Sequence, residues 1–373
     1  MLVLGLDKEL IRYLIKVGGM YEMPKLSRRD FMLACAGSAA AVSLSGYLAP
    51  FMAEAAEAGA PAVIWLQGAS CTGCSISLLN TVHPDIKDVL LNFISLKYHP
   101  NVMAAAGDLA IQDACYKIAA ENKGKFFLVV EGSVPTGAEG KFCMVGEEHE
   151  RPITFDKLVK DIGSQAQAIL SVGTCSAFGG VPATPPNPTG CKPVSDIVKN
   201  VPIINIAGCP PHPDWIVGTI AHVLLYKDIP ELDSFGRPKM FFDKIIHDNC
   251  PRRQYFDNAI FAKTFGEMGC MLELGCKGPI AHCDAATRQF NNGVNWCVKC
   301  GGVCIGCTEA QFPGWPIYER MPEMPIGPAM TATVDQIGMV LGGAAVLGIG
   351  GHLAGNVMTG RIGPHKDEKE GDE

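Results

Sequence analysis

Eight of the chain's sixteen cysteines fall within residues 247–307. They are Cys250, Cys270, Cys276, Cys283, Cys297, Cys300, Cys304 and Cys307, and His247 stands at the head of the run. Glycines are many there, charges few, and apolar periodicity is lost. Such a stretch cannot build an ordinary core from its own side chains, so its order must come from metal centres or from disulfides. The compartment in which the chain folds decides between them.

The N-terminus bears on that choice. Residues 27–32 read SRRDFM and are followed by an apolar run rich in Ala, Ser and Gly. A paired arginine ahead of a weak apolar run is the twin-arginine type of export signal. The run of about 17 residues is too short and too polar for a membrane span. Small residues at 53–60 offer cleavage positions, and Met20 and Met23 are alternative starts. Residues 1–60 are therefore read as a signal segment and set apart from the fold. Because this route exports folded proteins, commonly with cofactors inserted, it favours metal centres assembled in the reducing cytoplasm.

The 373 residues suffice for two domains with real cores. A net charge of -7 with no basic patch argues against nucleic acid as a partner. From Ala62 onward, short apolar runs (62–66, 93–98, 125–131, 168–173 and 201–208) alternate with helical patterns such as ISLLNTVHPDIKDVLL and AIQDACYKIAAEN. That alternation predicts an α/β fold with a parallel, helix-flanked sheet over residues 61–235. Ligands of such sheets bind beyond the C-terminal strand ends. Cysteine sits at that end of three strands: Cys71 and Cys74 in LQGASCTGC, Cys175 in GTCSAFGG and Cys209 in AGCPPHPDW. Converging there, four thiolates suit a [4Fe–4S] cluster or a structural zinc. Cys115, Cys143 and Cys191 read as packing or spare thiols, and His212 and Trp215 as residues packed beside the site.

The pattern changes near residue 236, where a small irregular domain (236–320) begins. A Met/Pro linker follows. Residues 331–357 then read as a transmembrane helix, with no formal charge from Ile337 to Val357. Gly338 with Gly342 and Gly351 with Gly355 give two GxxxG spacings for close packing on another helix. Arg361, Lys366 and Lys369 lie beyond the span, which places the tail 358–373 in the cytoplasm. His352, inside the span, either faces a partner's cofactor or hydrogen-bonds a neighbouring helix.

With these segments assembled, the chain resembles the small subunits of [NiFe] hydrogenases. LQGASCTGCS, KYHPNVMAAAG, EGSVPTG, VGTCSAFGG, AGCPPHPDW, IHDNCPRR, ELGCKGP and CIGC carry the resemblance, over roughly residues 61–318. It implies a flavodoxin-like domain, a small iron–sulfur domain and electron transfer between a catalytic large subunit and an outside acceptor. It also implies three clusters. The proximal [4Fe–4S] cluster falls to Cys71, Cys74, Cys175 and Cys209. The distal [4Fe–4S] cluster falls to His247, Cys250, Cys270 and Cys276. The medial cluster falls to Cys283, Cys304 and Cys307, with Cys297 where many relatives have proline. Three cysteines and a proline hold [3Fe–4S]; four thiolates permit [4Fe–4S], as in the selenium-containing branch, toward which SCTGCSISLLN and Ser70 also lean. Cys300 competes with Cys297 as the fourth medial ligand, with register favouring Cys297. Gly73 and Gly180 stand where oxygen-tolerant members add cysteines, implying an ordinary proximal cubane.

The implied protein is the relay subunit of an uptake hydrogenase, anchored on the periplasmic side of the cytoplasmic membrane. It would pass electrons from a [NiFe] or [NiFeSe] large subunit to a membrane cytochrome b or another quinone-linked subunit. The alternatives are an iron–sulfur subunit of a respiratory quinone-reducing complex, which needs only the first four thiols, and an exported disulfide or zinc scaffold.

Overall fold

Five runs of β-branched and aromatic residues form the strands of one parallel sheet in a computed structural model, which describes residues 60–148, 151–319, 324–327, 330–332 and 334–362. The strands are β1 (Ala62–Gln67), β2 (Ser95–Tyr98), β3 (Phe127–Glu131), β4 (Ala168–Val172) and β5 (Ile203–Ile206). Their order is β2-β1-β3-β4-β5, all neighbours parallel. This is the flavodoxin-like doubly wound order.

Period-two alternation divides the strand side chains between two cores. Val63, Trp65, Phe127, Val129, Leu170 and Ile204 face one side; Ile64, Leu66, Leu128, Val130 and Ile169 face the other. Helix α1 (Gly73–Leu79) follows β1, α2 (Phe155–Gly163) precedes β4, α3 (Thr174–Phe178) follows β4, and α4 (Pro213–Tyr226) follows β5. Helix α2 closes the second core with Phe155, Leu158, Val159 and Ile162. Helix α4 covers the first with Trp215, Ile216 and Val223. That first core also takes in Phe242, Ile246, Cys283, Trp296 and Cys304, so one apolar cluster runs from the sheet across residue 236 into the cysteine-rich segment.

Two of the helical patterns differ in detail. The one after β1 ends at Leu79 with Asn80 as its cap, and a second piece restarts at Ile86 behind an Asp85 cap, with Pro84 between the two. Proline cannot continue a helical hydrogen-bond ladder. The second, Leu109–Lys117, is wound as a π-helix before Ile118–Glu121 resumes α geometry. Phe93, expected in a strand, ends the π-turn Val89–Phe93, and β2 starts at Ser95.

In the Met/Pro linker, Met324–Gly327 pairs antiparallel with Met330–Ala332. Helix α5 (Val334–Met358) follows. Its stretch Ile337–Met358 is long and apolar enough to cross a membrane, with a mean hydropathy of 1.7 and none of its residues buried. The signal segment lies outside the described residues, as do residues 363–373 of the tail.

Candidate electron-relay site

Three thiol-bearing turns leave the C-terminal edge of the sheet. Strand β1 runs through Gly68 to Cys71 and Cys74, β4 through Gly173 to Cys175, and β5 through Gly208 to Cys209. Gly173 has φ +89°, and a Cβ there would lie 2.5 Å from Cys74 Sγ. Only glycine allows both the backbone and the close approach. Cys71, Cys175 and Cys209 all lie near enough to act electrostatically on Cys74, whose thiol is pushed well up by burial and then by the Glu131 carboxylate. Burial, then Cys209, pushes Cys175 up to about 11.

Glu131 is the functional neighbour that the sequence reading missed. It ends β3, is fully buried, and collects five donors. Its Oε1 accepts from the amide of Cys74 at 3.1 Å and from Ser70 Oγ at 3.1 Å. Its Oε2 accepts from Trp65 Nε1 at 3.1 Å, Gln67 Nε2 at 2.9 Å and Ser75 Oγ at 2.5 Å. It lies within EGSVPTG, and an acidic residue closing an apolar strand was the available signal.

The second set gathers around Cys276. Burial raises the Cys250 and Cys270 thiols, and Cys276 adds to both. His247 sits on the short 3-10 turn Ile246–Asn249, its amide donating to the carbonyl of Gly278 at 3.2 Å, two residues past Cys276. The ring stacks edge-on against Phe256. Its Nε2 is buried without a hydrogen-bond partner. Burial first, then Arg253, holds the imidazole below its ordinary value, in the neutral form that ligates metals.

In the third set, Cys304 and Cys307 act on Cys283, which burial lifts well above a free thiol. Cys307 is pushed up to about 12 by burial and then by Cys297. Cys297 also acts on Cys304. Cys300 is exposed, and it meets this group through Cys297.

The sets touch in series. The amide of Cys209 donates to the Cys307 thiol. Thr174 Oγ1, beside Cys175, donates to the carbonyl of Cys307. At the other end, Cys276 acts on both Cys304 and Cys297.

Cys115 is fully buried on its helix and raised to about 12 by burial, a packing thiol as expected. Cys191 is buried in the short strand Cys191–Lys192. His212 caps α4, its Nδ1 accepting from the Asp214 amide at 3.1 Å. Trp215 Nε1 donates to Asp284 Oδ1 at 2.7 Å. Both pack beside the thiols.

These residues fit iron–sulfur clusters. A buried imidazole nitrogen stands unpartnered, glycine is held against cysteine sulfur, and thiols gather whose burial disfavours a bare thiolate, so that ferric or ferrous iron would supply the compensating charge. All fifteen cysteines among the described residues are free. No three His, Cys, Asp or Glu side chains among the described residues converge on a single-ion site. A cluster does not ask for that convergence, because each ligand binds a different iron.

A doubly wound sheet whose strand-end thiols are joined in series to a cysteine-rich segment defines the class of iron–sulfur electron-transfer subunits. A family model described as the NADH ubiquinone oxidoreductase 20 Kd subunit matches residues 71–223, and one for the C-terminal region of the NiFe/NiFeSe hydrogenase small subunit matches residues 242–317. The chain is 48% identical over 305 residues to the periplasmic [NiFeSe] hydrogenase small subunit of Desulfomicrobium baculatum, covering 77% of this chain and 96% of that one. It is 38% identical to the quinone-reactive Ni/Fe-hydrogenase small chain of Wolinella succinogenes, over 91% of this chain and 98% of that one. The solved H2-activated D. baculatum [NiFeSe] hydrogenase superposes with a TM-score of 0.68 at 48% identity, over 70% of this chain and 99% of that chain. The chain belongs to the [NiFe] hydrogenase small-subunit family, and its activity is that of a hydrogenase complex in which it serves as the electron-transfer subunit.

Proposed function

We propose that this chain carries electrons released from dihydrogen on a [NiFe] or [NiFeSe] large subunit through three clusters to a membrane acceptor. The observation that carries the reading is the serial tie between the three groups: Thr174 Oγ1 joins Gly208, next to Cys209, to the carbonyl of Cys307, and the amide of Lys277, next to Cys276, donates to the carbonyl of Cys304 at 2.7 Å. Cys71, Cys74, Cys175 and Cys209 would hold the proximal [4Fe–4S] cluster. Cys283, Cys297, Cys304 and Cys307 would hold a medial [4Fe–4S] cluster. His247, Cys250, Cys270 and Cys276 would hold the distal one. Each cluster, when bound, supplies a one-electron centre whose potential depends on ligand charge, burial and hydrogen bonds.

The chain's residues set those terms. Glu131 places a fixed negative charge beside Cys74 and orients its loop. His247 offers a neutral ligand where the other sites have thiolates, which favours a higher potential at the outer station. The electrostatic action of Cys297, and not of Cys300, on Cys304 and Cys307 supports it over Cys300 as the fourth medial ligand. Helix α5 supports anchorage in lipid, with a quinone-linked subunit such as a cytochrome b as the acceptor. The arginine pair at residues 28 and 29 supports twin-arginine export to the periplasmic side, and residues 61–235 and 236–320 are the two domains of this reading.

Iron analysis of the anaerobically purified complex tests it. The expected content is about twelve irons attributable to this chain, three clusters of four. A value near four would leave only the strand-end site and overturn the relay. Cys297→Pro is expected to give a three-iron medial signal in the oxidised protein; an unchanged spectrum would move the ligand to Cys300.

A further inference from the structure

The medial group has one thiol more than a cubane uses. Cys297 and Cys300 lie on one tight turn, in which the amide of Cys300 donates to the carbonyl of Trp296 at 2.9 Å and that of Gly301 to Val298 at 3.1 Å. The amide of Gly302 donates to the carbonyl of Cys297 at 3.0 Å, so a single turn carries both cysteines three residues apart. Cys300 bears on Cys297 more strongly than Cys276 does, and Cys283 and Cys304 are buried. Both Cys297 and Cys300 are exposed, but only Cys297 acts on Cys304 and Cys307, so Cys300 is the thiol outside the ligand set with Cys297 as its neighbour on the turn. A disulfide needs Cβ atoms about 3.5–4.5 Å apart, against about 5–6 Å for i,i+3 positions of a regular helix. Gly301, which follows Cys300 directly at φ +86° with nothing within 4 Å of its Cβ position, gives that end of the turn the backbone freedom to close the gap.

We propose that Cys300 is a resolving thiol for Cys297, the two forming a disulfide whenever the iron held by Cys297 has been lost to oxidation. The inference rests on Cys297 being a medial ligand. The Cys297 thiolate and the Cys300 thiol together lose two electrons and one proton as one S–S bond forms. Dioxygen takes the two electrons with two protons and leaves as hydrogen peroxide. A thiolate freed at an exposed site otherwise climbs to sulfinic acid, which simple thiols do not reverse, whereas a disulfide is returned by a dithiol. The pair would thus keep the medial site rebuildable after exposure to air.

Trypsin provides the readout, since Lys299 lies between the two cysteines and peptides 289–299 and 300–320 separate unless linked. The intact complex is alkylated with iodoacetamide before and after exposure to air, then digested and analysed by mass spectrometry. Before air, Cys300 is expected to alkylate while Cys297 is protected by its iron. Alkylation of both would refute the ligand assignment itself. After air, the two peptides are expected to be joined through Cys297 and Cys300, and ferrous iron with dithiothreitol is expected to restore the four-iron medial signal. In Cys300→Ser the link is absent, Cys297 is recovered as sulfinic acid, and restoration fails. Protection before air followed by an unlinked Cys297, or by a link to Cys304 or Cys307, would overturn the resolving role and leave the ligand assignment standing.

Discussion

The main-chain amide of Lys277 donates to the carbonyl of Cys304 at 2.7 Å. This bond ties the segment that bears Cys276, of the group around His247, to the segment that bears Cys304, and Cys276 acts electrostatically on the Cys304 thiol. At the opposite end, Thr174 Oγ1 accepts from the amide of Gly208 at 2.9 Å and donates to the carbonyl of Cys307. One buried hydroxyl thus ties together the loops bearing Cys175, Cys209 and Cys307. The spacing of the three cysteine groups is therefore held by hydrogen bonds of the backbone and of one hydroxyl, independently of anything the thiols bind.

Thr174→Val keeps the shape of that junction but leaves a buried amide and a buried carbonyl unpaired. Each unsatisfied group costs about 1–3 kcal/mol. The expected result is a loss of about 2–4 kcal/mol in chemical denaturation of the complex, with slower electron passage between the proximal and medial centres in single-turnover spectroscopy. Thr174→Ser, which keeps the hydroxyl, is expected to recover most of both; an equal loss in Thr174→Ser would show that the methyl packing, not the hydrogen bonds, matters there.

Glu131→Gln removes the charge beside Cys74 and places an amide donor where five donors already converge. Adding an electron to the proximal centre becomes easier once that carboxylate is neutral. Redox titration followed by electron paramagnetic resonance is expected to show the proximal potential rising, on the order of 60 mV for a tenfold change in a one-electron equilibrium. A potential that stays put or falls would mean that the carboxylate is already screened or protonated.

The strand-end rule let Cys71, Cys74, Cys175 and Cys209 be read from sequence, because a parallel sheet sends every loop after a strand to the same edge. The alternation in β1 and β3 likewise showed which side chains enter which core. Nothing in spacing could show that Cys276 meets Cys304, since residues 247–307 fold without repeating secondary structure and their neighbours are set by irregular turns. The same limit hid Glu131 and Arg237. A buried charge looks like a surface charge in sequence until its partners, drawn from distant loops, are seen around it. Family resemblance supplied the ligand groups in that segment where periodicity was silent.

Arg237 is such a buried charge, with only 1% of its surface exposed. Its guanidinium meets Asp233 Oδ2 at 2.7 Å, Glu309 Oε1 at 3.0 Å and the carbonyl of Thr308 at 2.9 Å, and so pins the turn after Cys307 to the segment following β5. Arg237→Met preserves bulk but leaves Glu309 buried and without its cation, a loss of about 3–5 kcal/mol. The double variant Arg237→Met with Glu309→Gln is expected to recover part of that loss in thermal denaturation. No recovery would locate the cost at Asp233 or in packing against Phe242.

His212 gives the fold a dependence on pH. Burial holds its imidazole below the ordinary 6.5, since Nδ1 accepts from the Asp214 amide while Nε2 donates to the carbonyl of Gln289 at 2.9 Å. The Asp214 contact needs an unprotonated Nδ1, whereas the Gln289 contact persists in either form of the ring. Below pH 6.5 the unfolded chain binds a proton that the folded chain refuses. Stability is therefore complete above that pH and declines as pH falls, by up to about 1.4 kcal/mol per pH unit for one group. His99 and His247 are depressed by burial in the same sense, so the comparison must isolate His212. Asparagine also caps helices but does not titrate. Urea midpoints of the complex measured from pH 8 to pH 5 are expected to fall more steeply for the parent than for His212→Asn, whose loss of the Gln289 contact lowers stability equally at every pH. Parallel curves would assign the acid sensitivity to His99 and His247 and remove His212 from it.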